Sequence, residues 1–455
     1  MKKTLCILLA VLMIIGLFSG CAEKEPEPLR ILVDAGEADR MDQTVKEVMK
    51  GFVDTIRMVG GPTDIEVEVL PASKYGTARE TALTRIRTEI MSGKGPDVII
   101  ARCTMDNDLD PLFPVVEKTM NNDVFMPLDK YIENAQYMEW DKHTAVIMDA
   151  GRNRFGQMVI PMTYTLPLTH FRESDIEGVK PSAETTWEEM ITDESGVLSV
   201  SATWKHYGKG EYFFRDSADN YIECVLGEIA DYRKEKLLFT EEELLQRTLE
   251  VLKLERDYND GKYDHVPAHY QTRMFSDYDN EDLPETVTPR FIRTEQTIKE
   301  LRGVLYEDKQ TMIPIYADDG GVTATVTSYA AINANTRRPE DAFLVLDLIL
   351  SKGYQQSFDL YDNWLTVEGR GIPVHEDIMK KSTPSGQLGL FWLSNENYDE
   401  YDRVRQQIRY VQFEGGLSVV FDEMYAKCKT ADAKGEDCAP IVAEYYNILK
   451  QMMAE

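Results

Sequence analysis

Hydrophobic residues enter this chain in short bursts whose spacing switches between two periods. Ile31, Leu32 and Val33 form an apolar run closed by Asp-Ala-Gly, which predicts a strand and a turn. Val45, Val48, Phe52, Ile56 and Val59 then recur every three or four positions, one face of a helix, and Gly60-Gly61-Pro62 stops it. Ile65, Val67 and Val69 next alternate with Glu66 and Glu68, the pattern of a half-exposed strand. Leu83, Ile86 and Ile90 mark a second helical face, with Gly93 past its end. Pro96 to Ala101 is almost continuously apolar, as in a strand covered on both faces. Strand, helix, strand, helix, strand predicts a parallel sheet with right-handed crossovers.

The rest of the chain suggests a second lobe and a return. Val159-Ile160-Pro161 and Leu166 to Phe171 read as two extended pieces with Tyr164 between them, where the chain crosses over. Thr185 to Ile191 begins a helix, with Thr185 or Thr186 as cap and Glu188 and Glu189 near its positive end. Thr240 to Asp260 is a charged helical segment. Val322 to Ile332 is β-rich and leads into a helix opened by Pro339, the expected return. From Gly371 the chain reads as mostly helical, broken at Gly415-Gly416.

Composition narrows the functional classes. The chain has 455 residues, 79 Asp and Glu against 50 Lys and Arg, and a formal charge of −29. Such length supports two or three domains. Such acidity opposes nucleic acid, whose phosphates would repel it. Lys2 and Lys3 precede an uncharged run from Leu5 to Phe18. That run is too short for a membrane span of about 20 residues and reads as a secretory leader. Ser19-Gly20-Cys21, at its end, resembles the lipobox of bacterial lipoproteins. The resemblance implies a leader over residues 1–20 and a lipidated Cys21 whose acyl chains, palmitate among them, anchor the protein to the extracytoplasmic face of the cell membrane. Residues 21–28, rich in Glu and Pro, form the expected flexible tether. Outside the cytosol, an even cysteine count permits disulfides. Cys428 and Cys438 could close a small loop, and Cys103 reads as a buried thiol.

Four blocks in order carry a further resemblance: Gly93 to Ile100, Phe125 to Ile132, Thr185 to Met190, and Ala330 to Gln356. Together, behind a lipobox, they resemble the extracellular solute-binding proteins of bacterial ABC importers, sugar-type family 1. The resemblance implies an α/β, two-lobed, periplasmic-binding-protein-like (type II) fold whose ligand cleft lies between lobes joined by hinge strands. The expected lobes are residues 29–162 plus 322–362 and residues 163–321 plus 363–455. It also implies capture of a mono- or oligosaccharide by a monomer, delivery to ABC permease transmembrane subunits, and no cofactor, metal or catalytic residue.

A sugar cleft needs aromatic faces and paired hydrogen-bonding groups. Open parallel sheets bind ligands beyond the C-terminal ends of their strands. That rule singles out Glu37 after the first strand, Tyr75 after the second and Arg102 after the third. Tyr164 at the first crossing and Asp318 and Asp319 at the second join them. Trp204 lies in a glycine-flanked loop and Trp364 near an expected third hinge, whereas Trp187 reads as packing.

Enzyme motifs are missing from the sequence. There is no H-E-x-x-H, G-x-S-x-G or G-x-x-x-x-G-K-[ST], and the first turn, Asp34 to Arg40, holds one glycine where a dinucleotide site needs three. Pro267 separates His265 from His269 and opposes a shared helical face. Two other readings stay open: a surface-anchored glycan-processing enzyme with an unrecognised carboxylate pair, and a ligand sensor docking on a receptor kinase.

Overall fold

A computed structural model describes residues 27–34, 41–71, 76–103, 111–172, 189, 218–259, 310–355, 371–378 and 395–454. The first lobe opens with β1 (Leu29–Asp34), α1 (Met41–Met58), β2 (Ile65–Val69), α2 (Gly76–Met91) and β3 (Val98–Arg102). Val45, Met49, Phe52 and Ile56 are the buried stripe of α1. The helix ends at Gly60, whose φ of +85° suits a residue without Cβ. β1 pairs in parallel with β2 (Ile31↔Val67) and with β3 (Ile31↔Val98). Every residue of β3 is buried, which explains its unbroken apolar run.

The chain continues through short helices α3 (Val116–Thr119) and α4 (Ala145–Asp149) to β4 (Val159–Thr165) and β5 (Leu168–Arg172). Next come α5 (Ala218–Leu226), the small hairpin β6 (Ala230–Asp231) and β7 (Lys236–Leu237), and α6 (Glu241–Asn259). β8 (Gln310–Pro314) pairs antiparallel with β5. β9 (Val322–Ile332) and α7 (Pro339–Ile349) then return to the first sheet. β10 (Ile372–Pro373), α8 (Asn395–Arg405), β11 (Ile408–Phe413), α9 (Gly416–Asp432) and α10 (Ala439–Ala454) complete the described chain.

The seven-stranded sheet runs β10-β4-β9-β3-β1-β2, with β11 joined to β9. β9 is antiparallel to β3 (Ala330↔Ile100) and to β4 (Ala330↔Ile160), so the sheet is mixed. The reason is directional: β9 re-enters from the far side, opposite to β1–β3. β11 is the other departure from the sequence reading, which took this region as helical. Five of its six residues pair in parallel with the start of β9 (Val326↔Phe413), the register shifting at Arg409.

Two separate apolar clusters form. The first gathers Ile31, Val98, Ile160, Val326, Val345 and their neighbours, and it takes in Tyr164, Leu168, Ile372 and Ile408. The second gathers Ile222, Leu244, Val251, Phe421, Met424, Val442 and Leu449 from α5, α6, α9 and α10. β8 serves both, because successive strand residues face opposite ways: Met312 packs in the first cluster and Ile313 in the second. The architecture is mixed α/β, with two apolar cores. No described helix is long and apolar enough to cross a membrane.

Candidate functional site

Two described connections run from one core to the other, Pro314 to Val322 and Phe413 to Gly416, while Thr165 to Leu168 leads from the sheet to β5, whose partner β8 packs in both cores. Between the cores opens a groove of about 640 Å³. Glu117, Asn121, Asp149, Arg152 and Asn153 line it from the first lobe, and Gly227 to Lys234 from the second. Arg409 to Gln412 of β11 form its floor. The volume falls within the range of small-molecule sites, about 300–1,000 Å³.

Local sequence explains the floor. Tyr410 stands beside Gly227 and Gly321, where an added Cβ would come within 2.9 and 3.0 Å of its ring. Glycine at both positions leaves that space to the aromatic side chain. The Tyr410 hydroxyl donates to Asp319, and Arg409 Nη1 donates to the Asp319 carbonyl at 3.0 Å and to its carboxylate at 3.3 Å. The Tyr410 hydrogen bond, the Gly321 N–H and Arg409 hold the Asp319 carboxyl below its usual range. Asp318 pairs with Arg247 of α6. The second crossing therefore carries an ionised, hydrogen-bonded turn against the groove floor.

The other described candidates lie deeper. Arg102 ends β3, is 8 % exposed and stands in register with Ser328 of β9. Tyr164 is fully buried in the first core, its hydroxyl hydrogen-bonded to that of Tyr401. Burial raises the Tyr164 phenol, and the Tyr401 and Thr144 hydrogen bonds and Arg405 oppose it. Thr163 bonds both Thr327 and Ser328, so β4 and β9 are cross-linked by hydroxyls beside the first crossing. Glu37, Tyr75, Trp204 and Trp364 lie outside the described residues, as do Cys21, His265, His269 and Trp187.

Thus the structure brings Asp318 and Asp319 to the groove's margin and sets Arg102 and Tyr164 in the sheet at the crossings. Sequence reasoning missed Glu117, Tyr232, Arg409, Tyr410 and Gln412. The β-branched and aromatic residues of Ile408–Phe413 were the available signal for β11, although burial runs through it irregularly, with Ile408, Gln412 and Phe413 buried and Arg409 exposed. Nothing local marks Glu117, which becomes notable only when Phe413 donates its N–H to the carboxylate at 3.0 Å. Among the described residues no group of three His, Cys, Asp or Glu could hold a metal ion. Cys428 and Cys438 are not bridged, contrary to the loop closure their spacing allowed: the Cys438 thiol lies 3.5 Å from the Cys428 carbonyl and donates to it.

No protein-family model and no curated protein matches the sequence. Solved structures do match in fold. A periplasmic solute binding protein from Pectobacterium atrosepticum has a TM-score of 0.54 at 13% identity, covering 93% of this chain and 98% of that one. An extracellular solute-binding protein family 1 from Alicyclobacillus acidocaldarius has a TM-score of 0.54 at 12% identity, covering 95% and 100%. A periplasmic oligogalacturonide binding protein from Yersinia enterocolitica has a TM-score of 0.52 at 14% identity, covering 93% and 100%. The chain has the fold of the periplasmic and extracellular solute-binding proteins.

Proposed function

We propose that this chain is the substrate-binding lipoprotein of an ABC importer, capturing a carbohydrate outside the cytoplasmic membrane and delivering it to the permease. The observation that carries the reading is a polar, small-molecule-sized groove between two independently packed cores. Similarity of fold to an oligogalacturonide binding protein supports a carbohydrate as the solute. Asp149, Asp231 and Arg233 supply hydrogen-bonding groups, and Tyr232 and Tyr410 supply ring faces. Those are the two kinds of contact a sugar offers partners for. Glu37, Tyr75, Arg102, Tyr164, Trp204, Asp318, Asp319 and Trp364 remain the proposed contacts on the strand-tip side. The lobes of this reading are residues 29–162 plus 322–362 and residues 163–321 plus 363–455, with the first core drawing further residues from 372–413.

Cys21 would hold the protein at the membrane, and residues 21–28 would give it reach. The reaction at the site is binding alone, so closure gains only the ligand's preference for the closed form. Calorimetry against neutral and acidic oligosaccharides, with product analysis of each mixture, tests this. Reversible binding with unchanged sugar is expected. Cleavage of a bound sugar would show the enzyme reading to be right, and absence of binding across the panel would remove carbohydrate as the solute.

A further inference from the structure

Four large apolar side chains stand exposed at one end of the first lobe. β1, β2 and β3 run parallel, and β3 and β4 both run antiparallel to β9, so these strands begin at the same end. α1 and α2 run back to that end and finish at Met58 and Met91, which are 78 % and 88 % exposed, with Val59 beside the first. The Arg152–Gln157 hairpin enters β4 there and carries Phe155, 50 % exposed. Among the described residues only Leu238 and Leu249, in the second lobe, are comparably bare. Single exposed apolar residues are ordinary, but four at one end, across the strands from β4 to β2 or about 20 Å, form a surface.

Each part of that rim has a basic neighbour. Arg57 precedes Met58, Lys94 lies just past Met91, and the Arg154 guanidinium sits 4.5 Å over the Phe155 ring. The nearby Asp54, Asp64 and Asp129 are paired with Arg57, Arg338 and Arg152. The N-terminus leaves from this end too. The Leu29 N–H bonds the Asp64 carbonyl at 2.8 Å, and Arg338 Nη1 donates to the Glu27 carbonyl at 3.3 Å. Residues 21–28 are all that separate Cys21 from β1, so it lies within about 28 Å of Leu29.

Building on the lipoprotein reading of Cys21, we propose that this end of the first lobe is a membrane-docking surface. Met58, Met91 and Phe155 enter the interface of a phospholipid leaflet, and Lys94 and Arg154 meet anionic headgroups. The C-terminal tips of β1–β3, at the opposite end, are left facing the medium. An apolar rim with basic neighbours is the composition that binds such an interface. The three side chains together carry about as many apolar atoms as one myristoyl chain, whose affinity is about 10⁴ M⁻¹. A short tether gives an effective concentration of about 1 mM, which leaves the end docked about ten times as long as free.

Methionine oxidation by a reagent that does not cross membranes, followed by mass spectrometry, tests it. The chain from Cys21 onward keeps every described residue, and Cys103, Cys224, Cys428 and Cys438 are buried, so a maleimide lipid takes Cys21. On coupling to phosphatidylcholine vesicles containing phosphatidylglycerol, oxidation of Met58 and Met91 should slow about tenfold. Met452, partly buried against the second core, should keep its rate. Met58→Asp with Phe155→Asp should return Met91 to its uncoupled rate. Unchanged rates at Met58 and Met91 on coupling would overturn the proposal, as would a Met91 still protected in the variant, which would mark shading by the tether alone. Protection that appears before coupling, as the chain is concentrated, would put a second copy on this end and overturn it as well. Should the variant not fold, Lys94→Glu with Arg154→Glu decides, and undiminished protection in it overturns the docking. Because coupling supplies the anchor, a Cys21 found without lipid in cells would refute the lipoprotein reading and not this surface.

Discussion

Single buried charges carry much of the architecture at the residue scale. Asp347 of α7 is buried and accepts the backbone N–H groups of Gln136, Tyr137 and Met138 at 2.8, 3.0 and 2.7 Å. It pins a loop of the first lobe to a helix more than 200 residues away in sequence. Hydrogen bonds to a charged group are worth about 1.5–3 kcal/mol, and orphaned donors cost more. Asp347→Ala should therefore lower the free energy of unfolding by about 3 kcal/mol, read from urea denaturation, and a loss within the error of the measurement would show that the three bonds are not formed. His143 works by staying neutral. Its ring lies in contact with His375, 5.4 Å between centroids. Burial first, then His375, pushes its imidazole down to about 4. The unfolded ring protonates near 6.5, so the stability this ring contributes is complete above that value and is lost as pH falls toward 4. Glu117 slopes the other way, its stabilising proton being lost as pH rises toward about 7. The two oppose one another over mildly acid pH. Denaturant titrations of Glu117→Gln should expose the His143 slope, with stability rising with pH where the wild type is flatter; matching profiles would discount Glu117, and a variant whose stability ignores pH would discount His143.

Elements show which parts of the fold sequence patterning can reach. The α6 N-terminus is a reciprocal cap: Thr240 N–H bonds Glu243 at 2.7 Å, and Glu243 N–H bonds the Thr240 hydroxyl at 3.1 Å. Thr240→Ala should cost about 1 kcal/mol, seen as a lower thermal midpoint, and an unchanged midpoint would mean that the cap adds nothing. β1, β2, β3 and β9 were legible because their periods are set by burial on one or both faces. The orientation of β9 was not, since strand direction depends on where the chain has been. β11 escaped because its burial does not alternate: Ile408 and Phe413, on opposite faces, are both buried, and helices flank the strand on either side. The tip of β1 shows the same limit at the site. Asp34 ends the strand, and Arg79 reaches back from α2 to bond it at 2.8 and 3.0 Å, both side chains buried. Removing Asp34 takes the carboxylate from a buried guanidinium that also donates to the Pro71 carbonyl, so Asp34→Ala should lose about 3–5 kcal/mol. A much smaller loss, read by chemical denaturation, would mean that water reaches the pair.

At the scale of the whole molecule, the groove is a site only if both cores respond to its occupant. One lobe suffices to bind a molecule lying on its surface, and such binding would stabilise that lobe alone. A solute held between Asp149 and Asn153 on one side and Asp231 and Tyr232 on the other touches both. At a hundredfold excess over Kd it adds about 2.7 kcal/mol to the closed protein. Because closure couples the cores through the connections at Pro314 and Phe413, that energy is shared between them. Hydrogen exchange should therefore slow together in α4, in the β6–β7 hairpin and in β11 once a solute that binds is added. Slowing confined to α4 would place the solute on the first lobe alone. Slowing confined to the second core would place it there, and either result would refute the clamp.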